Sequence, residues 1–295
     1  MAFFALTCAY NEDFFLERWV GHYGRQLGYE NLYILDHGST DLSFQRVAGL
    51  APGRINIIKI PRSAHDDGKR ARFFSAFHAG LLEYYTGGFV VDCDEFLVTD
   101  PAKFADLREF ATAQHAAGIR SATAIGVNVV HIPKAEPAFQ PHIPILMQRR
   151  HGLFTLSMCK NAFACLKTSY TGGFHGSSNP PHFVDGFYLF HMKMFDHDWR
   201  LARQAFSRGW EWAGSYGQHA RGDDEGVIRR FASFERMASP DRLAADFDFS
   251  HEIGISMDIA EKKGNIWLLD QKKFHAHPDL VMRMRRLPDW SRTLL

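Results

Sequence analysis

Two carboxylates separated by a single residue, Asp92 and Asp94, follow directly on a short apolar run. Because side chains alternate in direction along an extended chain, both carboxylates point to one face and repel each other unless a cation lies between them. Mg²⁺ and Mn²⁺ take oxygen ligands of this kind and keep positions for phosphate oxygens and water. We therefore predict a metal site at Asp92 and Asp94. The alternative is that these acids cap the next helix or pair with Arg70 or Arg72.

The elements that must position this pair alternate between strand and helix. Apolar runs at residues 3–9, 31–35 and 88–91, with an alternating segment at 54–60, predict four strands. Amphipathic spacing predicts helices at 14–27 and 71–84, and residues 38–41 have the composition of a turn and helix cap. This order predicts an α/β fold with a mainly parallel sheet and helices on both faces.

Polar residues cluster where three of these strands end, at residues 10–12, 36–41 and 92–95. In open α/β sheets, ligands bind in the crevice at the carboxyl ends of the strands. We therefore expect Glu12, Asp36 and Asp94 to share one crevice.

Beyond Pro101 the alternation loosens. We predict helices at 104–117, 198–208 and 223–234, strands at 121–131, 153–163, 164–169 and 187–192, and a Gly- and Pro-rich stretch at 171–181. We place a boundary near residue 100.

Composition excludes several functional classes. The 295 residues carry a formal net charge of +1, so no nucleic-acid partner is expected. The four cysteines form no CxxC pair and have apolar neighbours, which favours reduced thiols and argues against structural zinc. The N-terminal apolar run lacks a basic leading region, and no window reaches the roughly 20 apolar residues of a membrane helix. We expect a soluble, cytoplasmic protein without an integral membrane segment, and peripheral membrane contact stays open.

Four segments follow one another in a characteristic order: TCAYNE at 7–12, LERWVGHY at 16–23, LDHGSTD at 35–41 and DCDEF at 92–96. Together they resemble the successive signatures of GT-A glycosyltransferases, most closely the family-two-like bacterial branch. The resemblance covers residues 3–100 well and 150–200 loosely. It implies a GT-A-like fold in which residues 1–100 form the donor-binding half, ending in the DxD motif. Residues 101–295 would form the acceptor-side half with an appended C-terminal subdomain.

The resemblance also implies a nucleoside diphosphate sugar as donor, with a UDP-sugar expected first, and Mn²⁺ or Mg²⁺ as cofactor. Asp36 would hydrogen-bond the base or ribose, with Ser39 shaping that turn, although a helix cap alone equally explains Ser39. Positive charge after the third strand would meet the diphosphate, although surface solvation is an equal alternative. The residues that would contact the nucleoside lie at the first strand end: Thr7, Ala9 and Glu12. The cations that would meet the diphosphate follow the third strand: Lys69, Arg70 and Arg72.

By the same resemblance, Asp94 would bind the metal directly, with Asp92 nearer the ribose and the metal's waters. A later histidine would complete the coordination, and an apolar strand delivers His191 with Lys193 on the same face. His175, flanked by glycines that allow close approach of a ligand, is the rival.

The implied activity is transfer of a sugar to a hydroxyl of a saccharide or glycolipid acceptor, with inversion. A carboxylate must then deprotonate the acceptor. Asp185, Asp223, Asp224 and Glu225 are candidates, and Glu95 is an alternative. Aromatic residues of the second half, among them Trp210, Trp212 and Tyr216, suit a platform for the acceptor sugar, although core packing explains most of them.

Two other classes of protein compete with this interpretation. A metal-dependent nucleotidyltransferase or phosphohydrolase also uses carboxylates at strand ends, but the sequence has no GxxxxGK[ST] loop. A non-catalytic nucleotide-sugar-binding module would keep the fold without turnover.

Overall fold

The computed structural model describes residues 1–213, 222–244 and 246–295. Tyr216 lies outside these ranges. The first part of the chain alternates strand and helix: β1 (Phe3–Ala9), α1 (Phe15–Leu27), β2 (Leu32–Asp36), α2 (Ser43–Leu50), β3 (Asn56–Lys59), α3 (Asp67–Leu81) and β4 (Gly87–Val90). Strands β3, β2, β1 and β4 lie side by side in that order, and all their pairings are parallel. The predicted α/β class with a parallel central sheet is confirmed.

Helices cover both faces of this sheet. Phe3 and Ala5 pack in one core cluster with Trp19 of α1. Phe4, which points to the other face, packs in a second cluster with Phe74 of α3. Strand β1 is therefore buried on both sides, which explains its continuous apolar sequence.

The second part adds mainly antiparallel strands to the same sheet. Its elements are β5 (Glu95–Thr99), α4 (Leu107–Ala116), β6 (Ser121–Val130), α5 (Ile145–Gln148), β7 (His151–Phe154), β8 (Asn161–Ala164), β9 (Gly176–Ser177), β10 (Phe183–Met194), α6 (His197–Arg208), α7 (Asp224–Met237), α8 (Ser250–Asp258), β11 (Ala260–Lys263), β12 (Ile266–Leu269), α9 (Gln271–His275) and β13 (Met284–Arg286). Strand β10 lies between β5, to which it is antiparallel, and β6, to which it is parallel. Strands β11, β12 and β9 form a separate small sheet.

The predicted strands at 153–163 and 164–169 are replaced by two shorter ones. β7 and β8 both pair with β6, so the chain between them must pass closely over its middle. Gly126 permits this, because a Cβ there would lie 2.5 Å from the backbone carbon of Met158.

The main sheet continues across residue 100, since β4 pairs with β8 and β5 pairs with β10. The boundary placed at residue 100 stays a prediction. Among the described residues, no helix combines the length and apolar character needed to cross a bilayer.

Candidate functional site

A cavity of about 970 Å³ opens where β1, β2 and β4 end. Residues just beyond these strands line it, including Ala9, His37 and Asp92. The far wall comes from the second part of the chain, including His191 of β10 and Arg200 of α6. A crevice at the strand ends is therefore present with Glu12 and Asp94 among its lining residues, but Asp36, also expected there, is not one of them. Both parts of the chain contribute to it.

His191 and Asp94 face each other inside this cavity. The pairing of β5 with β10 sets His191 opposite Glu95, beside Asp94, and Nε2 of His191 lies 3.4 Å from Oδ2 of Asp94. Nδ1 of His191 lies 2.6 Å from Oδ1 of Asn128. Because an amide oxygen only accepts, we assign the proton of a neutral ring to Nδ1, which donates to Asn128. Nε2 then turns a lone pair toward a carboxylate, an arrangement that a cation between them stabilises.

The residues present fit a divalent cation at this point. One ligand atom each from Asp94, Glu95 and His191 lie within 4.8 Å of one another. Carboxylate oxygens with a neutral imidazole form a set that suits Mn²⁺, and the hydrogen bond to Asn128 would fix the ring in its ligating orientation. Burial raises the pKa of Asp94, but the ring of His191 in its protonated form and the charges of Lys193 and Lys160 outweigh it, so this pKa lies well below its usual value. The carboxylate is therefore ionised and ready to bind a cation.

Asp92 is held differently from Asp94. It accepts hydrogen bonds from Nη1 of Arg70 at 2.7 Å and from Nζ of Lys160 at 3.4 Å. Lys160 also donates to Oε1 of Glu95 at 2.5 Å. Burial lowers the pKa of Lys160, but Glu95 and Asp92 together raise it above the usual value. The alternative of an ion pair with Arg70 is thus what the structure shows for Asp92, and only Asp94 of the predicted pair faces the histidine.

The predicted cations after β3 separate into two groups. Asp66 caps α3 by accepting from the backbone N–H of Lys69 at 2.9 Å. Lys69 and Arg70 line the cavity from this first turn. Arg72 is exposed and is not among the residues that line the cavity. A contact of Arg72 with a diphosphate in this cavity is therefore not supported.

The residues predicted at the end of β1 also separate. Ala9 and Glu12 line the cavity, and Glu12 forms an ion pair with Arg203. Thr7 is fully buried, and its hydroxyl oxygen lies 3.4 Å from Sγ of Cys93. Thr7 therefore packs beneath the surface of the cavity, against Cys93, and its side chain is not available to a nucleoside.

Asp36 and Ser39 shape a turn at the end of β2. Oδ1 of Asp36 accepts from the backbone N–H of Ser39 at 2.7 Å, and Oγ of Ser39 accepts from the backbone N–H of Asn11 at 3.1 Å. Their neighbours Leu35 and His37 line the cavity, whereas Asp36 and Ser39 are not among its lining residues. The turn-shaping role predicted for Ser39 agrees with this geometry. Direct contact of Asp36 with a base or ribose stays a prediction.

His175 lines the cavity but lies outside the possible metal-binding group found among the described residues. Its Nδ1 lies 2.7 Å from the carbonyl oxygen of Ser157 and donates to it. Burial, with the charge of Lys160, lowers the pKa of His175 to about 4. Of the two histidines, only His191 belongs to that group.

The carboxylates considered as catalytic base occupy very different places. Asp185 has a side chain 79% exposed and pairs with Lys103. It precedes His191 by six residues on β10, which places it roughly 20 Å away, and it is not among the cavity-lining residues. The structure therefore corrects the choice of Asp185. Asp223 and Glu95 line the cavity, and the two acids after Asp223 do not.

Four lysine or arginine residues of the cavity were missed in the sequence: Lys160, Arg200, Arg203 and Arg230. Lys160 is 2% exposed, and it is the only charged residue between positions 153 and 166. A single charge in such an apolar stretch is the signal that could have identified it, because buried charges are retained where they have partners. Arg200 and Arg203 lie three residues apart on α6 and therefore share a face.

Aromatic side chains form another wall of the cavity. The rings of Tyr10 and Trp210 are 5.7 Å apart, and the rings of Trp210 and Trp212 are stacked at 5.7 Å. The guanidinium of Arg62 lies 3.7 Å from the centre of the Tyr10 ring. Both tryptophans are half-buried, so this wall offers flat apolar surface beside the end of β1.

No protein-family model matches the chain, and no curated protein matches it. Among solved structures, it is similar to a mannosyltransferase from Pyrobaculum calidifontis in complex with GDP-Man and Mn²⁺, at a TM-score of 0.28 and 15% identity. That similarity covers 44% of this chain and 35% of the mannosyltransferase. It is also similar to mannose-1-phosphate geranyltransferase from Thermus thermophilus, at a TM-score of 0.29 and 14% identity, over 80% of this chain and 67% of that one. Similarity at this level carries no argument about activity, which has to be argued from the site.

Proposed function

We propose that the chain is a glycosyltransferase that moves a sugar from a nucleoside diphosphate sugar to an acceptor hydroxyl, with a divalent cation at Asp94 and His191. The observation that carries this proposal is the pair of acceptor atoms, Oδ2 of Asp94 and Nε2 of His191, that face each other at 3.4 Å in a cavity at the strand ends. The motif order described above supports the same class of reaction. Mn²⁺ is the cation that the mixed oxygen and nitrogen set favours.

The other groups of the cavity fit the parts of such a donor. The aromatic wall beside Tyr10 offers a surface for the nucleoside. Lys193 extends from the same face of β10 as His191 and is placed to meet the diphosphate. The cation, when bound, supplies Lewis-acid stabilisation of the leaving diphosphate. Lys160 and Arg70 fix Asp92 and Glu95, so the site is organised before any ligand arrives.

The acceptor side of the proposal rests on the second part of the chain. Helices α6 and α7 form the wall opposite the strand ends, and an acceptor sugar would enter there. For an inverting reaction, Asp223 at the start of α7 is the first base to test, with Glu95 second. Glu95 is already bound by Lys160 at 2.5 Å, which makes it less available as a base. A UDP-sugar as first donor, a saccharide or glycolipid acceptor and a cytoplasmic location with peripheral membrane contact complete the proposal.

The decisive experiment measures nucleoside diphosphate released from UDP- and GDP-sugars, with and without Mn²⁺, in the native protein and in Asp94→Asn. We expect the substitution to lower turnover by about 10²- to 10³-fold, because one preorganised electrostatic contact is lost. Mn²⁺ binding measured by electron paramagnetic resonance should weaken in the same variant. Asp185→Asn, far from the cavity, is the matched control and should behave as the native protein.

Several outcomes would reject the proposal. Turnover that is independent of Mn²⁺ and unchanged in Asp94→Asn would contradict the proposed cation site. Release of nucleoside monophosphate with sugar 1-phosphate would identify a phosphohydrolase instead. Formation of nucleoside triphosphate and sugar 1-phosphate on addition of pyrophosphate would identify a nucleotidyltransferase. Nucleotide-sugar binding without turnover for any donor and acceptor would indicate a binding module.

A further inference from the structure

Not every cation that lines the cavity is paired with one of its carboxylates. Arg70, Lys160 and Arg203 each form an ion pair with a cavity carboxylate. Arg200 and Arg230 also line the cavity, and neither forms an ion pair among the described residues. These two arginines come from α6 and α7, the wall across from the ends of β1 and β2.

Arg200 is a buried cation that forms no ion pair within the part of the chain that the structure describes. It is 6% exposed, its Nη2 donates to Oε1 of Gln204, and its Nε has no hydrogen-bond partner among the described residues. Burial lowers the pKa of Arg200, and Arg230 lowers it further while Asp94 opposes the shift. Desolvating a charge costs several kcal/mol unless a partner compensates. A ligand anion beside Arg200 would provide that compensation.

The position of Arg200 is fixed by the fold. Asp196 caps α6 by accepting from the backbone N–H of Trp199 at 2.9 Å, and it is itself held by Arg149 at 2.8 Å. Both Asp196 and Arg149 are buried. Arg200 is therefore presented to the cavity from a rigid helix start, as a preorganised binding group must be.

The donor does not need these two arginines for charge balance. The diphosphate of a sugar nucleotide carries two negative charges, and Asp94 carries a third. A divalent cation at Asp94 and His191, together with Lys193, balances these three charges. The charges of Arg200 and Arg230 are then left for a second anion, and Arg230 is exposed at the cavity rim where an incoming acceptor would pass.

We propose that Arg200 and Arg230 form a subsite for an anionic substituent on the acceptor, a carboxylate or a phosphate, so that the preferred acceptors are acidic saccharides. This inference rests on the glycosyl-transfer function proposed above. An arginine pairs well with either group because its planar fork matches two oxygens at once.

The first test measures binding without turnover. Glucuronate and inorganic phosphate are titrated by calorimetry into the metal-free native protein, Arg200→Gln and Arg236→Gln. Arg236 is an exposed arginine of α7 outside the cavity and serves as the matched control. Loss of one charge-assisted contact should weaken binding by about 10- to 100-fold in Arg200→Gln and leave the control unchanged. The tighter of the two anions identifies the substituent.

The second test compares a glucoside with the matching glucuronide, and with a sugar phosphate, as acceptors. The native protein should favour an acidic acceptor, and Arg200→Gln should lower the acidic-to-neutral ratio of kcat/KM by about 10- to 100-fold. Arg200→Lys, which keeps the charge, should retain more of that preference, and thermal unfolding of each variant confirms that it is folded.

Three results would overturn the inference. Equal use of acidic and neutral acceptors would contradict the proposed subsite, and so would the absence of glucuronate and phosphate binding. Weaker binding of nucleoside diphosphate in Arg200→Gln, with unchanged glucuronate binding, would assign Arg200 to the donor. Failure of transfer with every donor, while Arg200-dependent glucuronate binding persists, would instead reject the proposed function and leave an acid-binding site.

Discussion

Replacing Lys160 with methionine tests whether the acids of the site are organised by a buried ion pair. Lys160 is 2% exposed and lies 2.5 Å from Glu95 and 3.4 Å from Asp92. Removing one partner of a buried ion pair typically costs about 3–5 kcal/mol, because the other charge stays buried without compensation. Asp92 keeps its hydrogen bond to Arg70 at 2.7 Å, so the loss falls mainly on Glu95. We therefore expect a loss near the lower limit, about 3 kcal/mol of unfolding free energy at pH 8.

The cost should depend on pH in a defined direction. Burial raises the pKa of Glu95, and Lys160 opposes that shift, so the variant raises this pKa further. A carboxyl whose folded pKa lies above its unfolded value destabilises the fold as pH rises through that interval. Between pH 5 and pH 8 the penalty of the variant should grow, by up to about 1.4 kcal/mol per unit, wherever Glu95 is ionised in the native fold but protonated in the folded variant.

Urea unfolding followed by circular dichroism at pH 5 and pH 8 measures both effects. Lys167→Met is the matched control, because Lys167 is 73% exposed, and it should change stability by less than about 0.5 kcal/mol. Adding Glu95→Gln to Lys160→Met should recover most of the loss, since no buried charge is then unpaired. A single-variant penalty below about 1 kcal/mol, or one independent of pH, would refute the reasoning.

Three further predictions concern the rest of the fold. Gly126→Ala should destabilise the protein by about 1–3 kcal/mol in urea unfolding, because the added methyl meets the backbone at Thr155 and Met158; unchanged stability would contradict the close crossing over β6. His22 is buried, and its pKa is lowered to about 4. Its contribution to the free energy of unfolding is therefore fully present above pH 6.5 and is lost as pH falls from there toward 4. From pH 7 to pH 5 the native protein should lose roughly 2 kcal/mol more than His22→Gln, and equal losses would contradict the assignment. Burial raises the pKa of Cys8 to about 12, so mass spectrometry should find slower alkylation by iodoacetamide at pH 8 than for free cysteine, and equal rates would contradict that burial.

The sequence predicted the parallel part of the fold well because its signals are local. Each strand of the first part is a short apolar run, and each helix shows its own amphipathic period. The second part depends on pairings between distant segments, such as the insertion of β10 between β5 and β6, which no local pattern encodes. The path of the chain between β7 and β8 likewise depends on the close approach of Gly126 to residues more than 25 positions later in the sequence.

The candidate site was predicted in part for the same reason. Asp94 follows β4 and His191 lies within β10, both after apolar runs that predict these strands, and the structure brings the two side chains together. Lys160 and Arg200 belong to no recognisable sequence motif. Their roles depend on whether acids from distant parts of the chain lie beside them in the fold. Asp185 was predicted only as one of several carboxylates that could act as base, and the sequence does not show that it lies on β10 six residues before His191.

Main-chain pairing on both sides of β10 holds His191 in one transverse row with Glu95 of β5 and Asn128 of β6. Deleting a single residue upstream in β10 would bring Met192 into that row and rotate the imidazole to the opposite face of the sheet. The strand is therefore a place where homologues can exchange side chains but cannot change length. Insertions and deletions among related sequences should fall in the connecting loops, and β10 should align without gaps from Tyr188 to His191, where its pairing is regular on both sides.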